Sequence, residues 1–241
     1  MTPRAFPTSR LALPLALVLP LAVLAIALWV RADPASPPFQ GLDDAWLRLM
    51  NGGRDQPLWF VADAFDNSGG RIGVLSALLL ASILVAWRRW RSAVFALAAV
   101  SATHLAIALI KLVGDRDRPT GIMVDASSNA FPSGHSARMA SVVVVLTVVA
   151  IPVAAGRWWW PLAAALVLAM MWSRTWQHAH WLSDTICGAA TGIGVSMLCW
   201  RACGPLLERE RAEILARTRD DPSEPEALPL AGPPPDRPRC T

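Results

Sequence analysis

The chain has 241 residues, of which 54% are hydrophobic and only 17% are charged. A soluble domain of this length would carry more charge on its surface, so the composition excludes an ordinary soluble protein. The net charge of +4 comes from arginines scattered between apolar blocks, which argues against nucleic-acid binding, and the four cysteines form no CxxC pair, which argues against a zinc or disulfide framework.

Six apolar runs predict a bundle of six transmembrane helices. A helix rises about 1.5 Å per residue, so about 20 residues cross a hydrocarbon core of roughly 30 Å. The runs cover residues 11–30, 72–87, 92–110, 139–155, 158–173 and 185–200. The shorter runs need flanking residues or a tilt to span the bilayer. All 12 tryptophans lie at or near the ends of the runs or in the segments between them, as in the aromatic belt of a membrane protein.

The first run has a second interpretation as the hydrophobic part of a cleaved signal peptide, because Arg4 and Arg10 precede it. However, the run is longer than the usual signal-peptide core, and no clean small-x-small cleavage site follows it. We therefore expect residues 11–30 to be an uncleaved membrane anchor.

The segments outside the runs complete the predicted fold. Residues 31–69 contain two short amphipathic stretches, Leu42–Met50 and Leu58–Phe65, which predict interfacial helices on the outer face, although a plain packed loop fits the sequence equally well. Residues 204–241 are rich in proline and mixed charge, which predicts a cytoplasmic tail that is disordered beyond about residue 218. The expected fold is all-α, with a six-span membrane domain over residues 1–203 and that tail after it.

The distribution of Lys and Arg predicts the orientation of the bundle. With both termini inside, ten of these residues in the short connecting segments face the cytoplasm and eight face the outside. Three of those eight are candidates for chemistry, and excluding them leaves ten against five. The positive-inside rule then predicts both termini on the cytoplasmic side of a bacterial inner membrane.

Three polar clusters interrupt the apolar pattern, and all three fall on the same predicted side. They follow the third run, precede the fourth and connect the fifth to the sixth, and successive helices run in opposite directions. All three clusters therefore reach the outer face. The members that can perform chemistry are Lys111 and Arg118, then Ser133, Gly134 and His135, and then Arg174, His180 and Asp184.

The first property of this set is an excess of groups that bind anions. Lys111, Arg118 and Arg174 supply three cations, which suits a phosphoryl group with spread charge. Lys111 is also the only lysine among the 22 Lys and Arg residues of the chain. Ser133 and Gly134 precede a predicted helix, whose first backbone N–H groups attract an anion.

The second property is a pair of histidines with different surroundings. His180 and Asp184 are four residues apart and share one face of a helix, so the carboxylate can hold one imidazole nitrogen protonated and leave the other as a nucleophile. His135 comes from a different helix and can protonate the leaving oxygen. The residues alone do not decide which of the two histidines is the nucleophile.

The same residues allow one competing interpretation, a metal site formed by His178, His180 and Asp184. Residues two apart on a helix do not face the same side, so we expect no metal there and assign His178 to loop support or the water layer. His104 lies inside the third run, where a hydrogen bond to another helix is favoured over catalysis.

The ordered pattern Lys-x6-Arg-Pro, Pro-Ser-Gly-His and Ser-Arg-x5-His-x3-Asp resembles the type 2 phosphatidic acid phosphatase superfamily, which also includes the vanadium haloperoxidases. The resemblance extends from Lys111 to Asp184 and fills every motif position. It implies a helical membrane bundle without a metal or other cofactor. It implies His180 as the nucleophile, Asp184 as its orienting partner and His135 as the general acid. The phosphate ligands that it implies are Lys111, Arg118, Ser133, Gly134 and Arg174.

The predicted function is the hydrolysis of a lipid phosphate or diphosphate at the outer membrane face through a phosphohistidine intermediate. The expected partners are the lipid bilayer and a lipid phosphate substrate, with polyprenyl diphosphate ranked before phosphatidic acid and phosphatidylglycerol phosphate. Two alternatives stay open, namely a lipid phosphotransferase and a non-catalytic membrane protein or transporter with the same fold. The oligomeric state is also open.

Overall fold

The computed structural model describes residues 12–50, 52–126 and 129–219. The secondary structure of these residues is helical, with a short 3-10 turn at Val153–Ala155 and no strand among them, in agreement with the predicted all-α class. The α-helices are α1 (Ala12–Ala32), α2 (Gln40–Leu49), α3 (Leu58–Gly69), α4 (Arg71–Ala86), α5 (Trp90–Lys111), α6 (Gly134–Val149), α7 (Gly156–Trp176) and α8 (Leu182–Arg219).

Each of the six predicted apolar runs falls on one of the longer helices α1, α4, α5, α6, α7 and α8. Three of them, α1, α5 and α8, contain segments long and apolar enough to cross a membrane. The chain is therefore a helical membrane protein. With 16 residues each, α4 and α6 rise only about 24 Å, which is less than a hydrocarbon core. The count of six spans thus remains a prediction.

Helix α6 is displaced along the chain relative to the predicted run 139–155. It begins at Gly134, because the Ser133 side chain caps it by accepting a hydrogen bond from the Ser136 N–H. It ends at Val149, because Pro152 lacks an N–H group and restricts the residue before it. The earlier start places Gly134 and His135 in the first turn of the helix.

Residues 204–219, the first part of the predicted tail, continue α8. The side chain of Leu207 packs against the hydrophobic cluster at this end of the bundle. The Glu210 carboxylate accepts hydrogen bonds from the backbone N–H groups of Arg91 and Ser92, at 2.9 and 3.1 Å, and so caps the start of α5. These contacts hold the segment helical. Residues 220–241 lie outside the described part of the chain.

The two short stretches predicted in the outer segment are both helices, α2 and α3, and not plain loop. Helix α2 is held by the Trp46 indole N–H, which donates to the Thr175 hydroxyl of α7 at 3.0 Å. The carbonyl oxygen of Ala62 in α3 accepts a hydrogen bond from the buried Ser173 hydroxyl at 2.8 Å. Both helices are therefore docked on the end of the bundle that carries the third polar cluster.

Close packing of α6 against α8 brings two of the polar clusters together. A Cβ atom on Gly188 would overlap the Ser133 carbonyl group, and one on Gly192 would overlap the Ala137 carbonyl group. Small residues four apart allow helix backbones to approach in this way. At the end of the contact the Ser133 N–H donates to the Asp184 carbonyl oxygen at 2.9 Å. The first turns of α6 and α8 therefore lie side by side.

Candidate active site

The three polar clusters meet where α5 ends, α6 begins and α7 passes into α8. Arg118, from the loop after α5, places its guanidinium Nη1 3.3 Å from His180 Nε2 and also donates to the Ala179 carbonyl oxygen. The Lys111 ammonium donates to the Asn129 carbonyl oxygen, to which Arg118 Nη2 also donates at 3.5 Å. The first and third motifs thus share one site.

His180 is buried, and its surroundings define which ring nitrogen carries the proton. A guanidinium can only donate, so Nε2, which faces Arg118, holds the lone pair. The proton then lies on Nδ1, which faces Asp184 Oδ2 at 3.6 Å. That distance is longer than a hydrogen bond, but contacts of this kind often shorten when substrate binds. Nε2 is therefore the nitrogen positioned for nucleophilic attack.

The pKa of His180 is held well below its usual value. Burial is the main cause, and the positive charges of Arg118, Arg174 and Lys111 act in the same direction. The imidazole is therefore neutral at neutral pH, as a nucleophile must be. The same positive charges are the ones that a phosphate dianion would neutralise on binding.

Asp184 is held by a buried arginine that is not one of the predicted site residues. Arg116 Nη1 lies 2.9 Å from Asp184 Oδ1, and the Trp181 N–H donates to Oδ2 at 2.9 Å. The Arg116 side chain is 1% exposed and lies over the Trp181 ring at 5.0 Å. These contacts fix the carboxylate that orients His180. Arg116 stands within the six unspecified positions of the first motif.

Arg116 is in turn held by α2. Its Nη2 lies 2.7 Å from Asp43 Oδ2, and it also donates to the Gln40 side-chain oxygen. Asp43 is fully buried and accepts further hydrogen bonds from the Ser183 N–H at 2.8 Å and the Ser183 hydroxyl at 2.6 Å. A buried chain of contacts therefore runs from α2 through Arg116 to Asp184 and His180.

A second carboxylate, Asp66 of α3, stands beside the predicted general acid. Asp66 Oδ1 lies 3.2 Å from His135 Nε2 and forms an ion pair with Arg174 Nη1. Arg174 is buried and also donates to the Gln177 side-chain oxygen at 2.9 Å. Burial alone would raise the pKa of Asp66, but its hydrogen bond with His135 and the charge of Arg174 outweigh burial and lower the pKa. Asp66 is therefore ionised at neutral pH.

The remaining predicted phosphate ligands lie at the start of α6. Ser133 is fully buried, and its hydroxyl oxygen accepts from the Ser136 N–H at 3.5 Å and lies 3.2 Å from the Ser136 hydroxyl. The nearest heavy atom to a Cβ built on Gly134 would be a methyl carbon of Ile107, at 3.7 Å. Ser133 thus acts as the helix cap, and the first N–H groups of α6 lie at this end of the helix.

The other two histidines lie outside this arrangement. His178 contacts loop carbonyls through both ring nitrogens, Nδ1 to Thr120 at 3.0 Å and Nε2 to Met50 at 2.8 Å, so it supports the loops as predicted. Among residues 12–50, 52–126 and 129–219, no group of three or more His, Cys, Asp or Glu could hold a metal ion. His104 lies on the exposed side of α5, so the expected hydrogen bond to another helix is not found in the described structure.

The functional residues missed by sequence reasoning are Arg116, Asp43 and Asp66. Arg116 carried a signal, because an arginine inside the first motif is close to the site in any fold that joins the motifs. Asp43 and Asp66 had no recognisable pattern in the sequence, because their partners Arg116 and Arg174 are 73 and 108 positions away along the chain. Asp43 lies in the predicted amphipathic stretch Leu42–Met50, and Asp66 follows the stretch Leu58–Phe65 directly, within the predicted outer segment.

Comparison with known proteins agrees with the motifs. A family model described as the PAP2 superfamily matches residues 89–206, and the predicted resemblance to the type 2 phosphatidic acid phosphatase superfamily is therefore confirmed. The fold is similar to the crystal structure of a transmembrane PAP2-type phosphatidylglycerolphosphate phosphatase from Bacillus subtilis, with a TM-score of 0.61 and 19% sequence identity. The similarity covers 76% of this chain and 94% of that one. No curated protein matches the sequence.

Proposed function

We propose that this protein is a membrane lipid phosphatase that acts through a phosphohistidine intermediate on His180. One observation carries the proposal, namely the buried, neutral imidazole whose Nε2 faces Arg118 at 3.3 Å while its Nδ1 faces Asp184. Such an imidazole is a nucleophile with a cation placed where phosphate oxygens would lie. The PAP2 match over residues 89–206 supports the same activity.

In the first half-reaction His180 Nε2 attacks phosphorus, so that the new P–N bond forms while the P–O bond to the leaving group breaks. The leaving oxygen keeps the electron pair and takes a proton from His135. The positive charge that develops on the His180 ring is stabilised by Asp184 through Nδ1–H. In the second half-reaction water attacks phosphorus, so that a new P–O bond forms while the P–N bond breaks and His180 Nε2 recovers its electron pair. The proton of the water passes to His135, and phosphate is released.

The negative charge on the transferred phosphoryl group is met by Lys111, Arg118, Arg174 and the N–H groups that begin α6. The Lys111 ammonium has three N–H donors, of which one contacts the Asn129 carbonyl oxygen. Its charge is compact, so it can contact a phosphate oxygen without the planar two-point geometry of a guanidinium. These groups stand where charge develops in the transition state, as an oxyanion hole does. We propose that they replace a metal ion in this reaction.

The proposed substrate is a lipid that presents its phosphate at the membrane surface. The site lies at the ends of long apolar helices, so a lipid can reach it without leaving the bilayer. We rank polyprenyl diphosphate first, because recycling of such carriers takes place at the outer face predicted for this site. Phosphatidic acid comes next, together with phosphatidylglycerol phosphate, which the similar Bacillus subtilis phosphatase is named for.

The experiment is phosphate release by the purified protein in mixed micelles. Each of the three lipids is compared, as kcat/KM, with a soluble phosphomonoester, and the His180→Ala protein serves as the control for contaminating phosphatases. We expect turnover of at least one lipid well above that of the soluble ester. A preference for the soluble ester rejects lipid specificity, and turnover equal to that of His180→Ala favours the non-catalytic alternative.

The nearest alternative reaction, phosphotransfer, has its own readout. A phosphohistidine can transfer its phosphoryl group to a lipid or sugar hydroxyl instead of water. Adding an acceptor alcohol to the same assay separates the two, because a transferase forms phosphorylated acceptor in place of free phosphate. We expect free phosphate to remain the main product.

A further inference from the structure

We propose that Asp66 is a positioning residue that orients His135 and favours its protonated form as the general acid, an inference that rests on the proposed phosphatase function. Asp66 lies on α3, outside the segment matched by the superfamily and outside all three motifs. Its Oδ1 is 3.2 Å from His135 Nε2. This contact gives the acid histidine a carboxylate of its own, in addition to the one that serves His180.

The structure around Asp66 leaves it little freedom to make another contact. A Cβ on Gly69 would overlap the His135 ring, so the end of α3 packs directly on the imidazole. The second partner of Asp66 Oδ1 is Arg174, which is itself buried. Asp66 is therefore fixed between a phosphate ligand and the general acid.

Asp66 favours the protonated form of His135, in opposition to burial and the neighbouring cations, which favour the neutral form. The charged groups around His135 are Asp66 from α3, Arg174 from α7, Arg138 from its own helix and His180 beyond them. Asp66 is the only anion in this group. Asp66 accepts a hydrogen bond from Nε2–H and stabilises the imidazolium against the positive charges, so the Nδ1 proton remains available for the leaving oxygen. After transfer, neutral His135 retains Nε2–H towards Asp66.

The test is the Asp66→Asn protein with two substrates that differ in leaving group, an alkyl phosphate lipid and an aryl phosphate. We expect kcat for the alkyl ester to fall about 10²-fold, because its poor leaving group needs the acid, and kcat for the aryl ester to fall less than about fivefold. The alkaline limb of the pH–kcat profile should move to lower pH. Asp66→Glu should restore part of the loss.

The matched control is Asp63→Asn, one turn earlier on α3, where the carboxylate contacts only its neighbour Asn67. This variant should behave as the wild type with both esters. Equal losses on the alkyl and aryl esters in Asp66→Asn, with an unmoved pH profile, would mean that Asp66 only holds Arg174 and would overturn the inference. If wild-type protein turns over neither ester, it is the proposed function that fails.

A different observation concerns Arg138, and from it we infer a binding site for a second phosphate, so that the substrate class is a diphosphate. Arg138 and His135 are the charged or titratable residues of α6, which is otherwise apolar or neutral. Within the described residues Arg138 forms no ion pair, and its hydrogen bond goes to a backbone group, the Gly70 carbonyl oxygen at 3.2 Å. A half-buried cation without a counter-ion is costly, and it suits an anionic ligand.

The position of Arg138 matches the leaving group of the proposed reaction. It follows His135 by three residues, on the same face of α6 and about 4.5 Å deeper along the helix. A Cβ on Gly70 would lie 3.7 Å from His135 Nε2, while the Gly70 oxygen contacts Arg138, so both side chains border one glycine. In the proposed reaction His135 protonates the leaving oxygen, and Arg138 lies about one helical turn further along α6.

A diphosphate makes specific use of such a cation. When the P–O bond to the bridging oxygen breaks, that oxygen keeps the electron pair and departs as part of a lipid monophosphate, which stays charged. The leaving group of a monophosphate ester is an alcohol, which carries no charge once it is protonated. Arg138 therefore stabilises the departing group only when that group is itself a phosphate.

The experiment compares farnesyl diphosphate with farnesyl monophosphate, which share one lipid chain. We expect the wild type to prefer the diphosphate, and Arg138→Gln to lower its kcat/KM about tenfold or more while changing that of the monophosphate less than about threefold. Arg48→Gln, an exposed arginine on α2, is the control and should change neither.

Three results would overturn the Arg138 site. The first is a wild type that does not prefer the diphosphate, and the second is an Arg138→Gln protein with unchanged kcat/KM. The third is an equal loss of kcat/KM on both substrates, which would mean that Arg138 only caps the Gly70 carbonyl. The first two leave the proposed phosphatase intact as long as the monophosphate is hydrolysed. Arg138→Lys, which keeps the charge, should retain part of the preference and separates charge from packing.

Discussion

At the scale of single residues, the central feature is that two carboxylates and two histidines are paired in different environments. His180 lies between Asp184 and Arg118, whereas His135 lies beside Asp66. Burial, together with the cation next to Nε2, keeps His180 neutral, whereas the Asp66 anion favours the charged form of His135 in opposition to burial. In the proposed mechanism this difference lets one fold provide a nucleophile and an acid.

The first prediction concerns the nucleophile. His180→Ala should lower kcat on the preferred lipid by about 10⁴-fold or more, because no other group in the site can form the intermediate. Asp184→Asn should leave a residual rate, lower by about 10²- to 10⁴-fold, because the amide can hold the wrong tautomer of His180. The measurement is single-turnover phosphate release with detection of phosphohistidine. Activity of His180→Ala close to that of the wild type contradicts the mechanism.

The second prediction concerns Arg116. Arg116→Gln leaves Asp43 and Asp184 buried without their cation, which should cost about 3–5 kcal/mol of stability and remove most activity. Arg116→Lys should not restore it, because a single ammonium cannot reach both carboxylates as the guanidinium fork does. The measurement is thermal unfolding in detergent, with Arg48→Gln as the exposed control. An unchanged Tm for Arg116→Gln would show that the network contributes little.

At the scale of helices, the site depends on two layers with different sequence signals. The layer formed by the ends of α5, α6, α7 and α8 was predictable, because the motifs name its residues and the alternation of helix direction brings them together. For the layer formed by α2 and α3, the sequence predicted amphipathic helices but none of the residues that they contribute to the site. Which acidic residue of each helix turns inward depends on docking against α7 and α8, a long-range contact that leaves no local pattern.

The third prediction concerns the contact between α6 and α8. Gly192→Ala adds a methyl group where the Ala137 carbonyl lies, so the helices must separate, at a cost of about 1–3 kcal/mol, and His135 must move away from His180. Gly204→Ala is the matched control, because a Cβ there meets nothing within 4 Å. In a helix that exchange should stabilise by about 0.5–1 kcal/mol. Equal Tm values for the two variants would contradict the packing argument.

At the scale of the whole molecule, the two ends of the bundle differ in the role of their cations. The end with the site places Lys111, Arg116, Arg118 and Arg174 in contacts with side chains and carbonyl groups of the site. The opposite end holds arginines beside Glu210 and Glu213, where α8 meets the start of α5. A count of charges from sequence treats both groups alike, whereas the structure shows which cations lie at the candidate site.

The last prediction concerns the side of the membrane on which the site lies. Helix α8 has 38 residues and so rises about 57 Å, far more than a hydrocarbon core of about 30 Å, and its last turns must project from the bilayer. That projecting part contains Arg209, Arg211 and Arg217, which the positive-inside rule assigns to the cytoplasm.

The candidate site lies at the opposite end of the same helix, where α8 begins at Leu182, and should therefore face the outside. A reporter enzyme fused after Arg219 should be active in the cytoplasm, and one inserted at Ala126, in the loop that carries Arg118, should be active on the outer side. Two cytoplasmic readings would contradict the helix alternation. If the reporter after Arg219 reads outside and the reporter at Ala126 reads cytoplasm, the site faces the inner leaflet. Recycling of a carrier at the outer face would then no longer be a reason to rank polyprenyl diphosphate first.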